Sequence, residues 1–168
     1  MNLTLTSATA NKMIRKLNEE KQELINMERQ RCTYRALQDE EPTIPKYMFE
    51  DVLLEISEID TRVRKIKHAL NVFNCTTEVP GFDMTIDEAL VYMAQLSSDK
   101  SRLAYLKDKE PKSRLGVSRL SNTNVPEFEY ANYDIKLAVD SYKDTTEELI
   151  QLQTALDTIN QTVTFEVH

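Results

Sequence analysis

Glycine and histidine are nearly missing from this chain: its 168 residues hold two of each, with five prolines, two cysteines and no tryptophan. Gly81 and Gly116 lie too far apart to write a Walker loop or a dinucleotide fingerprint, which need clustered glycines for close backbone approach to phosphate. The same scarcity deprives a many-stranded sheet of its turn residues and favours helices. With only His68 and His168 there is no HExxH motif, and Lys65 stands three before His68, where a di-iron helix needs glutamate. A Ser/His/Asp or Cys/His set would have to use His68 or the terminal His168, and His68 reads as a solvated helix-surface residue beside Arg64, Lys65 and Lys67. Cys32 and Cys75 form no CxxC pair and are expected to be reduced, structural thiols. Carboxylate pairs carry no information, because 28 acidic residues guarantee many by chance. The reading is therefore of a protein that is not an enzyme, with no catalytic residue, no metal and no cofactor assigned.

Long apolar runs and a basic surplus are also missing. No stretch approaches eighteen consecutive apolar residues, and the opening Met1-Asn2-Leu3-Thr4-Leu5-Thr6 has neither the basic nor the apolar part of a signal segment, so the expectation is a soluble cytoplasmic protein with no membrane partner. A net charge of −7 argues against a nucleic-acid partner, since phosphate attraction needs a basic surface.

What the chain does have is helical periodicity. Phe49, Val52, Ile56, Ile59, Val63, Ile66, Leu70 and Phe73 follow alternating steps of three and four, a pattern that chance produces less than about once in a thousand registers. Such a helix, roughly 36 Å long, needs other helices beside it. The last segment offers one: Ile135, Ala138, Tyr142, Thr145, Leu149, Leu152, Leu156, Ile159 and Val163 repeat the alternation behind an Asp134 cap. A third helix opens on the capping box Thr85-Ile86-Asp87-Glu88 and buries Ile86, Ala89, Leu90, Met93, Leu96, Leu103 and Leu106, ending near Lys109 ahead of Pro111. The first, less regular helix runs from about Thr6 to Leu37 with Ala10, Met13, Leu17, Leu24, Met27 and Tyr34 inward, and Pro42 and Pro45 close the hairpin.

A shift of 86 residues lays the second helix over the fourth, Phe49 on Ile135 and Leu70 on Leu156, and Thr4-Leu5-Thr6 resembles the opening at Thr85. The expected fold is all-α: one domain over 1–168, made of two long antiparallel helical hairpins (about 5–79 and 85–168) that are duplicates. They form a four-helix, coiled-coil-like bundle, with short extended tails after the second and fourth helices. The tails, Thr76–Val79 and Thr162–Val167, either pair with each other or lie over the bundle's end.

This combination resembles a family of uncharacterised, mostly bacterial helical proteins that go by the name septicolysin. The resemblance rests on Asn74-Cys75-Thr76-Thr77-Glu78-Val79 after the second helix, on Thr85-Ile86-Asp87-Glu88-Ala89-Leu90, and on the closing Asn160-Gln161-Thr162. The segment from Lys112 to Pro126 departs from the family's pattern, and no residue here supports the cytolysin of the name. The resemblance implies the fold and self-association, and no established activity.

One functional lead comes from charge. Between Asp99 and Arg119 seven bases meet three acids, a net of +4, so the rest of the chain carries −11. A second basic cluster, Arg62, Arg64, Lys65 and Lys67, has no acid between Thr61 and His68. The echo Ser113-Arg114-Leu115 and Ser118-Arg119-Leu120 around Gly116 offers hydroxyls and guanidinium forks for phosphate or carboxylate, and Tyr130 and Tyr133 offer rings to stack on. Lys112, Arg114, Arg119 and Tyr130 are the candidate ligand-binding residues; alternatively this is a solvated loop whose arginines pair with the protein's own acids. Apolar residues off the seams, Leu53, Leu54, Tyr92, Tyr105, Leu137 and Ile150, point to a homo-oligomer. The expected function is a non-enzymatic homo-oligomeric binding protein that holds or sequesters a small anionic, nucleotide-like ligand in inter-helix or inter-subunit pockets. The alternative is a structural or protein-interaction coiled-coil module without such a ligand.

Overall fold

The computed structural model describes residues 3–38, 41–114 and 126–168. Among them are four helices, α1 (Ser7–Arg31), α2 (Phe49–Thr76), α3 (Ile86–Lys107) and α4 (Ile135–Thr162). Four short strands, β1 (Leu3–Thr6), β2 (Lys112–Arg114), β3 (Phe128–Tyr130) and β4 (Thr164–Val167), form two two-stranded antiparallel sheets, β1 with β4 and β2 with β3. The protein is mostly helical, as the periodicity predicts. Two compact units divide it, Met1–Thr77 with Asp157–His168 and Glu78–Leu156, and the boundary falls within α4.

In the first unit α1 packs on α2. Ala10 and Leu17 share a core with Ile59, Val63, Ile66 and Val167. Polar clamps join the pair: Lys21 Nζ lies 2.7 Å from Asp60, and Tyr47 donates to Glu28 at 2.7 Å. β4 crosses this core because Phe165 and Val167 alternate with polar residues and turn inward with Leu3 and Leu5 opposite them in register. Phe165 stacks on Phe73 of α2 with ring centroids 5.0 Å apart.

In the second unit Thr85 and Glu88 form the reciprocal capping box that opens α3. Before it the chain doubles back: Val79 N–H donates to Met84 O, Phe82 N–H to Val79 O, and Glu78 bridges Thr85. Gly81 makes that turn possible with a φ of 84°, a left-handed value open to glycine, following Pro80. Asp134 caps α4 by accepting from the amides of Lys136 and Leu137. α3 and α4 are tied by Tyr92, which donates to Glu148 at 2.6 Å, and by Lys107, whose ammonium sits 4.9 Å from the centre of the Tyr142 ring.

Several expectations change. α1 stops at Arg31 rather than Leu37, with the Cys32 amide closing on Glu28 O. The apolar rhythm lapses at Arg31, and the β-branched and aromatic residues Thr33 and Tyr34 are weak helix formers, so there is no stripe left to bury and Tyr34 is exposed. Phe49, the first seam residue of α2, is 56% exposed, although the pattern places it inward. The tails do not pair with each other: β4 takes β1 as its partner and Glu78 takes Thr85, in each case a nearby helix-opening segment that offers free backbone groups. Residues 112–114 form strand, not loop.

Candidate functional site

The two strands that follow α3 and precede α4 bring most of the expected binding residues together. Their register sets Lys112 opposite Tyr130, Ser113 opposite Glu129 and Arg114 opposite Phe128. Lys112 folds its ammonium over both rings of β3, 4.1 Å from the centre of Phe128 and 5.3 Å from that of Tyr130. Such a cation over the ring face is attracted by the ring's quadrupole, and Tyr130 stays more open to solvent than Phe128. Arg114 is exposed on the same strand. Arg119, with Leu115, Gly116, Ser118 and Leu120 of the serine–arginine echo, lies outside the described residues.

Beside this ribbon is a cavity of about 220 Å³ lined by Tyr105, Leu106, Lys109, Glu110, Glu129, Tyr130 and Tyr133, among others. Tyr133 anchors one wall by donating to Leu106 O at 2.6 Å. Lys109 Nζ sits 4.5 Å from the centre of the Tyr105 ring and 4.0 Å from Glu129. The hydrogen bond with Tyr105 is the main cause that holds the Lys109 ammonium above its ordinary pKa, aided by the Tyr105 and Glu129 charges. Glu129 is thus partly neutralised, whereas Glu110 works against an anion. Lys109 and Tyr105 were not among the expected site residues; their place beside Tyr130 shows only once β3 returns beside the end of α3.

Three other concavities lie on helix flanks. In the first unit a cavity of about 580 Å³ takes Lys65, His68, Val72 and Phe73 from α2 and Phe165, Glu166 and His168 from the chain's last residues. A neighbouring one of about 360 Å³ adds Leu3, Met13 and Arg62 and shares Lys65 and His168. Both histidines of the protein thus face one concavity, an arrangement that needs the β4 pairing and has no signature in spacing. In the second unit Pro80, Gly81 and Phe82 face Asp144, Glu147, Glu148 and Gln151 across a cavity of about 560 Å³. Cys32 and Cys75 are exposed free thiols. Among the described residues no group of three or more His, Cys, Asp or Glu side chains is placed to hold a metal ion, and no helix is long and apolar enough to cross a membrane.

No family model matches the chain, and no curated protein matches it. Its fold is similar to the crystal structure of a functionally unknown conserved protein from Corynebacterium diphtheriae, with a TM-score of 0.58 over 99% of this chain and 100% of that one. At 18% identity the likeness speaks to the fold alone.

Proposed function

We propose that the protein is a non-enzymatic, self-associating helical binding protein whose β2–β3 ribbon, with the tyrosine-lined cavity beside it, holds a small anionic ligand that carries a ring, such as a nucleotide. The observation that carries this reading is Lys112 poised over Phe128 and Tyr130, with Arg114 on the same strand. A flat ring can stack on exposed Tyr130 while its anionic group meets the Lys112 ammonium and the Arg114 fork. Exposed Leu53, Leu54, Tyr105, Leu137 and Ile150 support self-association; Tyr92 does not, since its hydroxyl is spent on Glu148. Membership of the septicolysin family and a cytoplasmic location belong to the same proposal.

The duplication belongs here too. α2 and α4 are each 28 residues long, and a shift of 86 carries Phe49 onto Ile135 and Thr76 onto Thr162. Their ends match in detail: Thr76 donates to Val72 O as Thr162 does to Thr158 O, and the Thr77 and Val163 amides close on Phe73 O and Ile159 O. The opening helices match when Thr6 is set on Thr85, two residues from the register of the sequence comparison. Both threonines head capping boxes, and the first and fourth helical residues, Ser7 and Ala10 or Ile86 and Ala89, are buried. Two copies of one antiparallel hairpin account for all of these.

Titration calorimetry with adenosine and guanosine mono- and triphosphates tests the reading. Binding is expected to weaken about tenfold or more in Lys112→Ala and in Tyr130→Ala, each a loss of ~1.4 kcal/mol or more. No heat with any of the four nucleotides, in a protein that melts cooperatively, overturns it. A second reading, a protein-docking module, draws on the exposed Tyr34, Leu37, Ile44, Met48 and Phe49 at the connection between α1 and α2.

A further inference from the structure

We propose that copies of this chain dock head to tail, the basic flank of α2 in one copy against the acidic flank of α4 in the next. This rests on the self-association proposed above and names the surfaces that carry it. On α2 no acid interrupts Arg62, Arg64, Lys65, Lys67 and His68, and all five are exposed. On α4 no base occurs from Asp144 to Ala155, while Asp144, Glu147 and Glu148 line a single concavity. In a chain whose net charge is −7, a block of four lysines and arginines without one acid is a local reversal of sign.

The two surfaces occupy corresponding places. At the shift of 86, Arg62 falls on Glu148, Lys65 on Gln151, Lys67 on Gln153 and Ala69 on Ala155. Arg62, Lys65 and Ala69 border the concavities of α2, and Glu148, Gln151 and Ala155 border that of α4. Arg62, Lys65 and Lys67 are replaced on the second helix by an acid or an amide and Arg64 by Ile150, while the small alanine that borders the hollow is kept. Each surface also has an exposed apolar residue nearby, Val72 at 49% and Ile150 at 58%, whose covering adds burial to charge attraction. Since every copy offers both surfaces, the contact is heterologous, and assembly runs until a ring closes or continues as a chain.

Two charge-reversal variants, Arg62→Glu with Lys65→Glu and Asp144→Lys with Glu147→Lys, separate the possibilities by light scattering at low salt. All four residues are exposed, and thermal melts by circular dichroism check that each variant keeps the parent's fold. The wild type is expected above monomer mass, each variant alone at monomer mass, and an equimolar mixture of the two back above it, since one then presents only acidic and the other only basic surfaces. Raising the salt to 0.5 M is expected to disperse both assemblies. If either variant alone keeps the wild-type mass, or the mixture stays monomeric, the docking surfaces are wrong while self-association stands. If the wild type itself is monomeric at tens of micromolar, both fall. Should a reversal variant melt differently from the parent, the neutral pair Arg62→Gln with Lys65→Gln takes its place, and an unchanged mass there overturns the proposal.

Discussion

Tyr47 shows how one contact sets a measurable property. Its hydroxyl donates to the Glu28 carboxylate at 2.7 Å, and ionising it would place two anions side by side; that hydrogen bond first, then desolvation, raises its pKa to about 12 from an ordinary 10.0. A phenol that ionises later in the folded than in the unfolded chain adds stability that is whole below pH ~10 and is lost as the pH climbs toward about 12. Spectrophotometric titration is expected to show Tyr47 in a late class, apart from Tyr92, which its bond to Glu148 also raises, and Glu28→Gln to return Tyr47 toward 10; a late class unchanged in size in that variant removes the assignment to Tyr47. At this scale the sequence was legible where a rule is local. Thr85 with Glu88 and Asp134 before α4 do what their spacing predicts. Lys112, Arg114 and Tyr130 stood out by charge and ring content, but Lys109 and Tyr105 join them only through a strand that returns from beyond residue 125.

Among the helices the apolar rhythm was the readable signal, and its limits follow from length. A stripe repeats over many turns and announces itself, as Val52, Ile59, Val63, Ile66 and Phe73 do on α2. What the rhythm does not reveal is which of its positions a partner covers. Phe49 keeps the pattern of α2 and is exposed, so pattern and burial part company there. Leu17→Ala, which empties a site 3% exposed, is expected to cost roughly 2–5 kcal/mol, and Phe49→Ala no more than ~0.5 kcal/mol, in urea denaturation. Equal losses would show that Phe49 is covered in solution. Three of the strands were hidden for the opposite reason, since three or four residues give no period to count; β4 was legible as an extended tail, but its partner was not, because the local sequence does not name one.

For the whole molecule the join of β1 to β4 decides most. The first compact unit is not one continuous stretch; it closes only with Asp157–His168 in place. Val167, 7% exposed and opposite Leu3, lies in the same core as Leu17 and Ile66. Val167→Asp puts an unpaired charge there and is expected to cost more than about 3 kcal/mol. Its particular signature in hydrogen exchange is lost protection at Leu3–Thr6, at the other end of the sequence, and normal protection there would mean that β1 holds without β4.

The same join has a bearing on how the protein is made. A ribosome releases Leu3 long before Thr164–Val167, the strand that satisfies its backbone, so while the residues between them are made the edge from Leu3 to Thr6 waits without its mate. α1 and α2 are able to zip together well before that moment, because their contacts are nearer in sequence, while the lid over their core arrives only with Thr164–Val167.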